Sequence, residues 1–160
     1  MPLPRTLRTL HTLLGLPLPV WLDLLRAAAE LALARYRLGS QPAQELLWQT
    51  RQPEPVPAPA ASLASQVLAA RIAFAIPRVA ARLPFRADCF IQAMAARRWL
   101  QRKGVASSLT LGTRLDAPGG FAAHAWLTCQ GRLVTGGDIR GYVPLAPRTS
   151  GESARPAAPD

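Results

Sequence analysis

Apolar residues recur along this chain first at helical spacing and then, from about residue 105, in alternation. Val20, Trp21, Leu24, Leu25, Ala28, Leu31 and Ala32 repeat every three or four positions, which predicts an amphipathic helix. Pro19 suits its first turn, where a missing N–H costs nothing, and Gly39 is placed to close it as a left-handed cap. Ser62 predicts the cap of a second helix over about Leu63 to Arg82, which Pro77 should kink or end early. A turn through "LPFRAD" leads into a third helix over about Cys89 to Lys103, ended by Gly104. The pattern then changes. "VASSLTLGTRL" and "FAAHAWLTC" read as strands separated by the turn "DAPGG". "QG" is a tight hairpin turn into "RLVTG", and "GYVPLAP" forms a short edge segment. Helices followed by an antiparallel sheet make an α+β fold, with a central helix packed on a small sheet.

Composition divides this pattern further. Residues 1 to about 16 predict a short basic, leucine-rich helix, and "RQPEPVPAPAA" is too rich in proline for a regular helix. The expected organisation is a helical N-terminal arm and Pro-rich linker over 1–61, a core over 62–147, and a disordered tail over 148–160. The most apolar stretch, "VWLDLLRAAAELALARYRL", carries Asp23, Arg26, Glu30 and Arg35, too many charges for a membrane span. Prolines interrupt the leucines of the N-terminus, and no signal-type cleavage site follows. Two cysteines make no disulfide framework, so the sequence reads as a cytoplasmic protein with free thiols.

The net charge is +10, carried almost wholly by arginine, since Lys103 is the single lysine. Such a surplus suits acidic partners, although a solvated basic surface accounts for it equally well. Few aromatics interleave with the arginines, which argues against a nucleic-acid stacking platform. Arg71, Arg78 and Arg82 fall near one side of the second helix, as a solvent-facing stripe or as a hold for an acidic peptide. The basic N-terminal helix is a surface that suits a membrane, an enzyme partner or a recognition protein alike. No phosphate-binding loop or metal-ligand spacing is present, so no cofactor of its own is expected.

Two segments carry chemistry. Cys89 begins the third helix, where unpaired N–H groups and the helix dipole lower a thiol pKa. Arg86 adds positive charge, while Asp88 opposes a thiolate unless its cap geometry turns it away. The plainer reading of Cys89 is a small buried apolar residue. His124 lies mid-strand on one face with Ala122 and Trp126, leaving room beside the ring, although a hydrogen-bonded core histidine is the common alternative. Cys129, five residues on, faces the opposite side of the sheet, and His11 lies in the basic arm. Cys89 and His124 are therefore the pair within reach of each other. A catalytic imidazole needs an orienting partner, for which Asp138 is the first candidate and Asp116 the weaker one; Asp138 reads as well as a plain turn residue.

"RLPFRADCFIQAMAARRWLQRKGVASSLTLGTR", "GGFAAHAWLTCQGRLVTGG" and "GYVPL" together resemble the leader peptidases of lasso-peptide biosynthesis, over roughly Leu68 to Leu145. These B proteins have a transglutaminase-like, papain-related core, and the arginine- and leucine-rich start resembles their stand-alone form. The resemblance implies that Cys89 is the nucleophile and His124 the base and acid. The family's acid usually follows on the next strand, where this chain reads "TGG", nearest Gly136; Asp138, a backbone carbonyl or a water then holds the ring. It further implies a precursor-peptide substrate, a separate leader-recognition protein, and an asparagine-synthetase-like cyclase to which any ATP requirement belongs. A transglutaminase-like acyl transferase and a non-catalytic basic binding module are the alternatives.

Overall fold

A computed structural model describes residues 17–40, 62–115 and 120–145. The short N-terminal helix, the Pro-rich linker, the tail, His11 and Asp116 lie outside the described residues. Helices α1 (Leu18–Ser40), α2 (Leu63–Ala80) and α3 (Cys89–Gln101) precede strands β1 (Ser108–Arg114), β2 (Ala122–Cys129), β3 (Arg132–Thr135) and β4 (Val143–Pro144). The strands form one antiparallel sheet in the order β3-β2-β1-β4. This is the α+β architecture that the periodicity predicts.

Local chemistry explains the ends of the elements. Ser62 Oγ accepts the Ser65 N–H at 3.1 Å, and Asp88 accepts the Ile91 N–H at 3.0 Å, each a side-chain cap on a first-turn donor. Gln130 and Gly131 both take positive φ, 52° and 74°, the pairing that a two-residue hairpin with matching twist requires. Two expectations are corrected. Helix α1 runs through Gly39, which keeps a negative φ, and ends instead with Ser40 Oγ donating to the Tyr36 and Arg37 carbonyls. Helix α2 continues through Pro77 to Ala80, because only one turn remains and the Pro77 carbonyl still accepts the Ala81 N–H.

The core joins all three helices to one face of the sheet. Leu31 from α1, Ile72 and Ile76 from α2, Ile91, Trp99 and Leu100 from α3, and Leu127 and Cys129 from β2 are essentially inaccessible. The helix assigned to an arm is thus a layer of the body, adding Ala27 and Leu31 to the same cluster. Its charges are the means of attachment. Arg71 binds Asp23 through two hydrogen bonds of 2.8 and 2.7 Å, tying α2 to α1. Glu30 is buried and meets Arg98 at 3.2 Å and Arg102 at 3.6 Å, tying α3 to α1. Arg26 lies 4.9 Å over the Trp99 ring. The proposed arginine stripe is therefore divided: Arg71 is an internal anchor, while Arg78 and Arg82 donate to carbonyls of their own helix. Helix α2 is long and apolar enough to cross a membrane by length and composition alone. Here it packs on α1, α3 and β3.

Candidate active site

Cys89 is the first residue of α3 and is half-buried. The first amides of a helix have no acceptor within it, so the Cys89 N–H is available at this end. The Asp88 carboxylate beside it is engaged in capping the Ile91 N–H. One turn further on, Gln92 donates one N–H of its side-chain amide to the Ala87 carbonyl at 2.8 Å. Its second N–H remains to serve elsewhere.

Strand β2 brings His124 to the same place. Cys89, Gln92 and His124 line one cleft of about 510 Å³ with Ala73, Pro77 and the end of β3 through Gly137. The ring nitrogen Nε2 lies 2.5 Å from the Gly136 carbonyl oxygen. A carbonyl only accepts, so Nε2 carries a proton, and in the neutral form of the ring Nδ1 keeps the lone pair. Tyr142 packs against the ring at a tilt of 37°, centroids 4.9 Å apart, and Arg114 lies 4.9 Å over the Tyr142 ring. The imidazole is therefore fixed in tautomer by a backbone oxygen and in plane by an aromatic neighbour.

The carbonyl that holds His124 depends on glycine. Gly136 has φ 118°, and a Cβ there would stand 2.4 Å from Trp126 Cβ. Trp126 is also seated over Gly112, where a Cβ would meet the indole at 2.5 Å, and Gly112 is the cross-strand partner of His124. Both neighbours of the histidine strand thus give up a side chain to accommodate one tryptophan. No hydrogen bond joins Asp138 to the ring. Arg140 grips it through hydrogen bonds of 2.8 and 2.7 Å, and both side chains are exposed. Those bonds hold the Asp138 carboxyl down at about 2. Cys129 packs in the core with Sγ 3.5 Å from the Ala106 carbonyl, on the face expected from its parity with His124.

Periodicity did not disclose Gly136, Gln92, Tyr142 or Thr135. Thr135 lines the cleft, and its buried hydroxyl has no hydrogen-bond partner among the described residues. The "TGG" after a strand was the available signal, since adjacent glycines mark a backbone with special requirements.

The profile of the transglutaminase-like superfamily matches residues 13–147, and the chain belongs to that superfamily. No curated protein and no solved structure gives a significant match. Membership joins this cleft to a fold whose kind of activity is that of papain-like cysteine peptidases and acyl transferases.

Proposed function

We propose that this transglutaminase-like chain is a cysteine peptidase that removes the leader from a ribosomally made lasso-peptide precursor. The observation that supports this most is a helix-start thiol, Cys89, facing the same cleft as an imidazole held with Nε2–H on Gly136. In this reading His124 Nδ1 takes the Cys89 proton, and the thiolate attacks the carbonyl at the junction of leader and core. The Cys89 N–H and the second N–H of Gln92 are the donors for the oxyanion, each such contact being worth about 3 kcal/mol. The imidazolium then passes its proton to the departing core amine, leaving the leader as a thioester on Cys89. Water, deprotonated by Nδ1, attacks the thioester; the leader leaves as an acid and the proton returns to sulfur. The Gly136 carbonyl does the orienting that an acidic third residue does elsewhere, and Asp138 takes no part. No cofactor enters this scheme.

The resemblance noted in the sequence completes the setting with a separate recognition protein that delivers the precursor and an ATP-using cyclase that closes the freed core, and the free thiols suit a cytoplasmic enzyme. Mass spectrometry of a lasso precursor incubated with the chain and its recognition partner tests the reading. A free leader acid and an intact core are expected, with neither formed by Cys89→Ala or His124→Ala. A crosslinked amide product would instead establish acyl transfer, and full maturation by Cys89→Ala would establish a non-catalytic role.

A further inference from the structure

A second cleft, of about 220 Å³, adjoins the first. It lies between the alanines of α2 and strand β3, and the two clefts share Ala73, Leu133 and Val134. Together they make one groove that follows β3 and ends at Cys89 and His124. Strand β3 is at the edge of the sheet, so one side of its backbone has no strand partner among the described residues.

The groove changes character along its length. Its middle is floored by Ala69, Ala70 and Ala73, which leave only shallow space above the helix. Its far end is polar, with Gln66, Gln130 and Arg132, and Gln130 is anchored there by donating to Ser65 Oγ at 2.6 Å. A strand edge beside an alanine floor suits an extended peptide, whose backbone pairs with the edge while small side chains enter the groove. Among the described residues, His124 is the only aromatic ring lining either cleft, which leaves nucleic-acid bases no stacking platform there.

Charge defines the peptide further. The described residues hold fourteen lysines and arginines against four carboxylates. Every one of those four is engaged internally: Asp23 by Arg71, Glu30 by Arg98 and Arg102, Asp88 by the Ile91 N–H, and Asp138 by Arg140. Arg132 makes no ion pair among the described residues, and it is exposed at the groove's far end.

We infer, resting on the peptidase reading above, that this groove is the enzyme's substrate site for an extended peptide lying along β3. Small or apolar side chains of that peptide face Ala69, Ala70 and Ala73, and an acidic side chain meets Arg132. Arg132 stands four residues before Gly136, and an extended partner advances about 3.3 Å per residue. The acidic residue therefore lies about four positions from the cleaved bond.

Two measurements on the full chain test this. First, wild type digests a proteome-derived peptide library, and the cut sites are read by mass spectrometry. Asp and Glu should be enriched about four positions from the cut on one side, and Arg132→Glu should replace them there with Lys and Arg. Second, Cys89→Ala is titrated by fluorescence anisotropy with a labelled octapeptide of alanine and valine bearing one glutamate, and with its lysine counterpart. The glutamate peptide should bind tighter, and Arg132→Glu should shift that preference by about fivefold or more. Ala70→Trp, at an exposed position on the groove floor, should weaken both peptides by about tenfold while leaving Cys89 alkylation by iodoacetamide unchanged in the otherwise wild-type chain. Cleavage with no acidic preference, unaffected by Ala70→Trp, would overturn the groove and leave the peptidase. Arg132-dependent binding without any cleavage would keep the groove and remove the peptidase. Equal binding of the two octapeptides would overturn the groove outright.

Discussion

Helix α3 meets two different environments at its two ends. Its last turns carry Arg98, Trp99 and Arg102, which grip the buried Glu30 and pack against α1. Its first turn carries Cys89 and Gln92, which face an open cleft with no charged side chain on its wall among the described residues. At the closed end, ion pairs to the buried Glu30 fix α3 to α1. At the open end, the functional side chains are held by backbone carbonyls, His124 by Gly136 and Gln92 by Ala87, while the Asp88 carboxylate caps the Ile91 N–H. The contrast separates holding from chemistry. A charged partner beside the thiol or the imidazole would bias its proton strongly in a half-buried site, whereas a carbonyl orients the ring with a smaller electrostatic effect. The clamp at the far end keeps the helix start in place without bringing charge to the cleft.

The sharpest way to break this division is at the open end. Under the proposed mechanism, in which the thiol is the nucleophile, Cys89→Ala should lower peptide cleavage by about 10⁶-fold with an unchanged melting curve. Comparable stability loss with residual cleavage would mean that Cys89 is structural. Gly136→Ala comes next, because it touches both sides of the division. Its Cβ collides with Trp126 and its φ disfavours any side chain, so a loss of about 3 kcal/mol is expected in urea denaturation. The carbonyl under His124 would move with it, and cleavage by the fraction that remains folded should also fall.

At the closed end, Glu30→Ala should cost about 3 kcal/mol, because it strands Arg98 among buried groups. Calorimetry should show a fall of about 10 °C in Tm, while kcat at low temperature stays near wild type. A large loss of kcat in folded protein would show that the clamp reaches the cleft. Asp138→Asn should have the smallest effect, changing the cleavage rate by less than about twofold. The Asp138 carboxyl is held near 2, below its unfolded value, so its stabilising contribution is present above about pH 4 and is lost as the pH falls through 2. Cleavage measured from pH 5 to 8 should therefore give the same profile for Asp138→Asn as for wild type. A displaced profile would return Asp138 to the site.

Much of this was legible because local rules suffice for it. Helical and alternating spacing, the Ser62 and Asp88 caps, the Gln130–Gly131 turn and the opposed facing of His124 and Cys129 each depend on residues within a few positions of one another. Residue type, helix-start position, strand parity and the family resemblance singled out Cys89 and His124 as the pair to watch. Tertiary structure decided the rest. Charges read as evidence against a membrane span became the anchors of α1, since Glu30 and Arg98 are far apart in sequence and meet only through packing. The partner of His124 was decided there as well. A carboxylate announces itself by residue type, whereas every residue carries a carbonyl, and only the fold determines which one points at a ring.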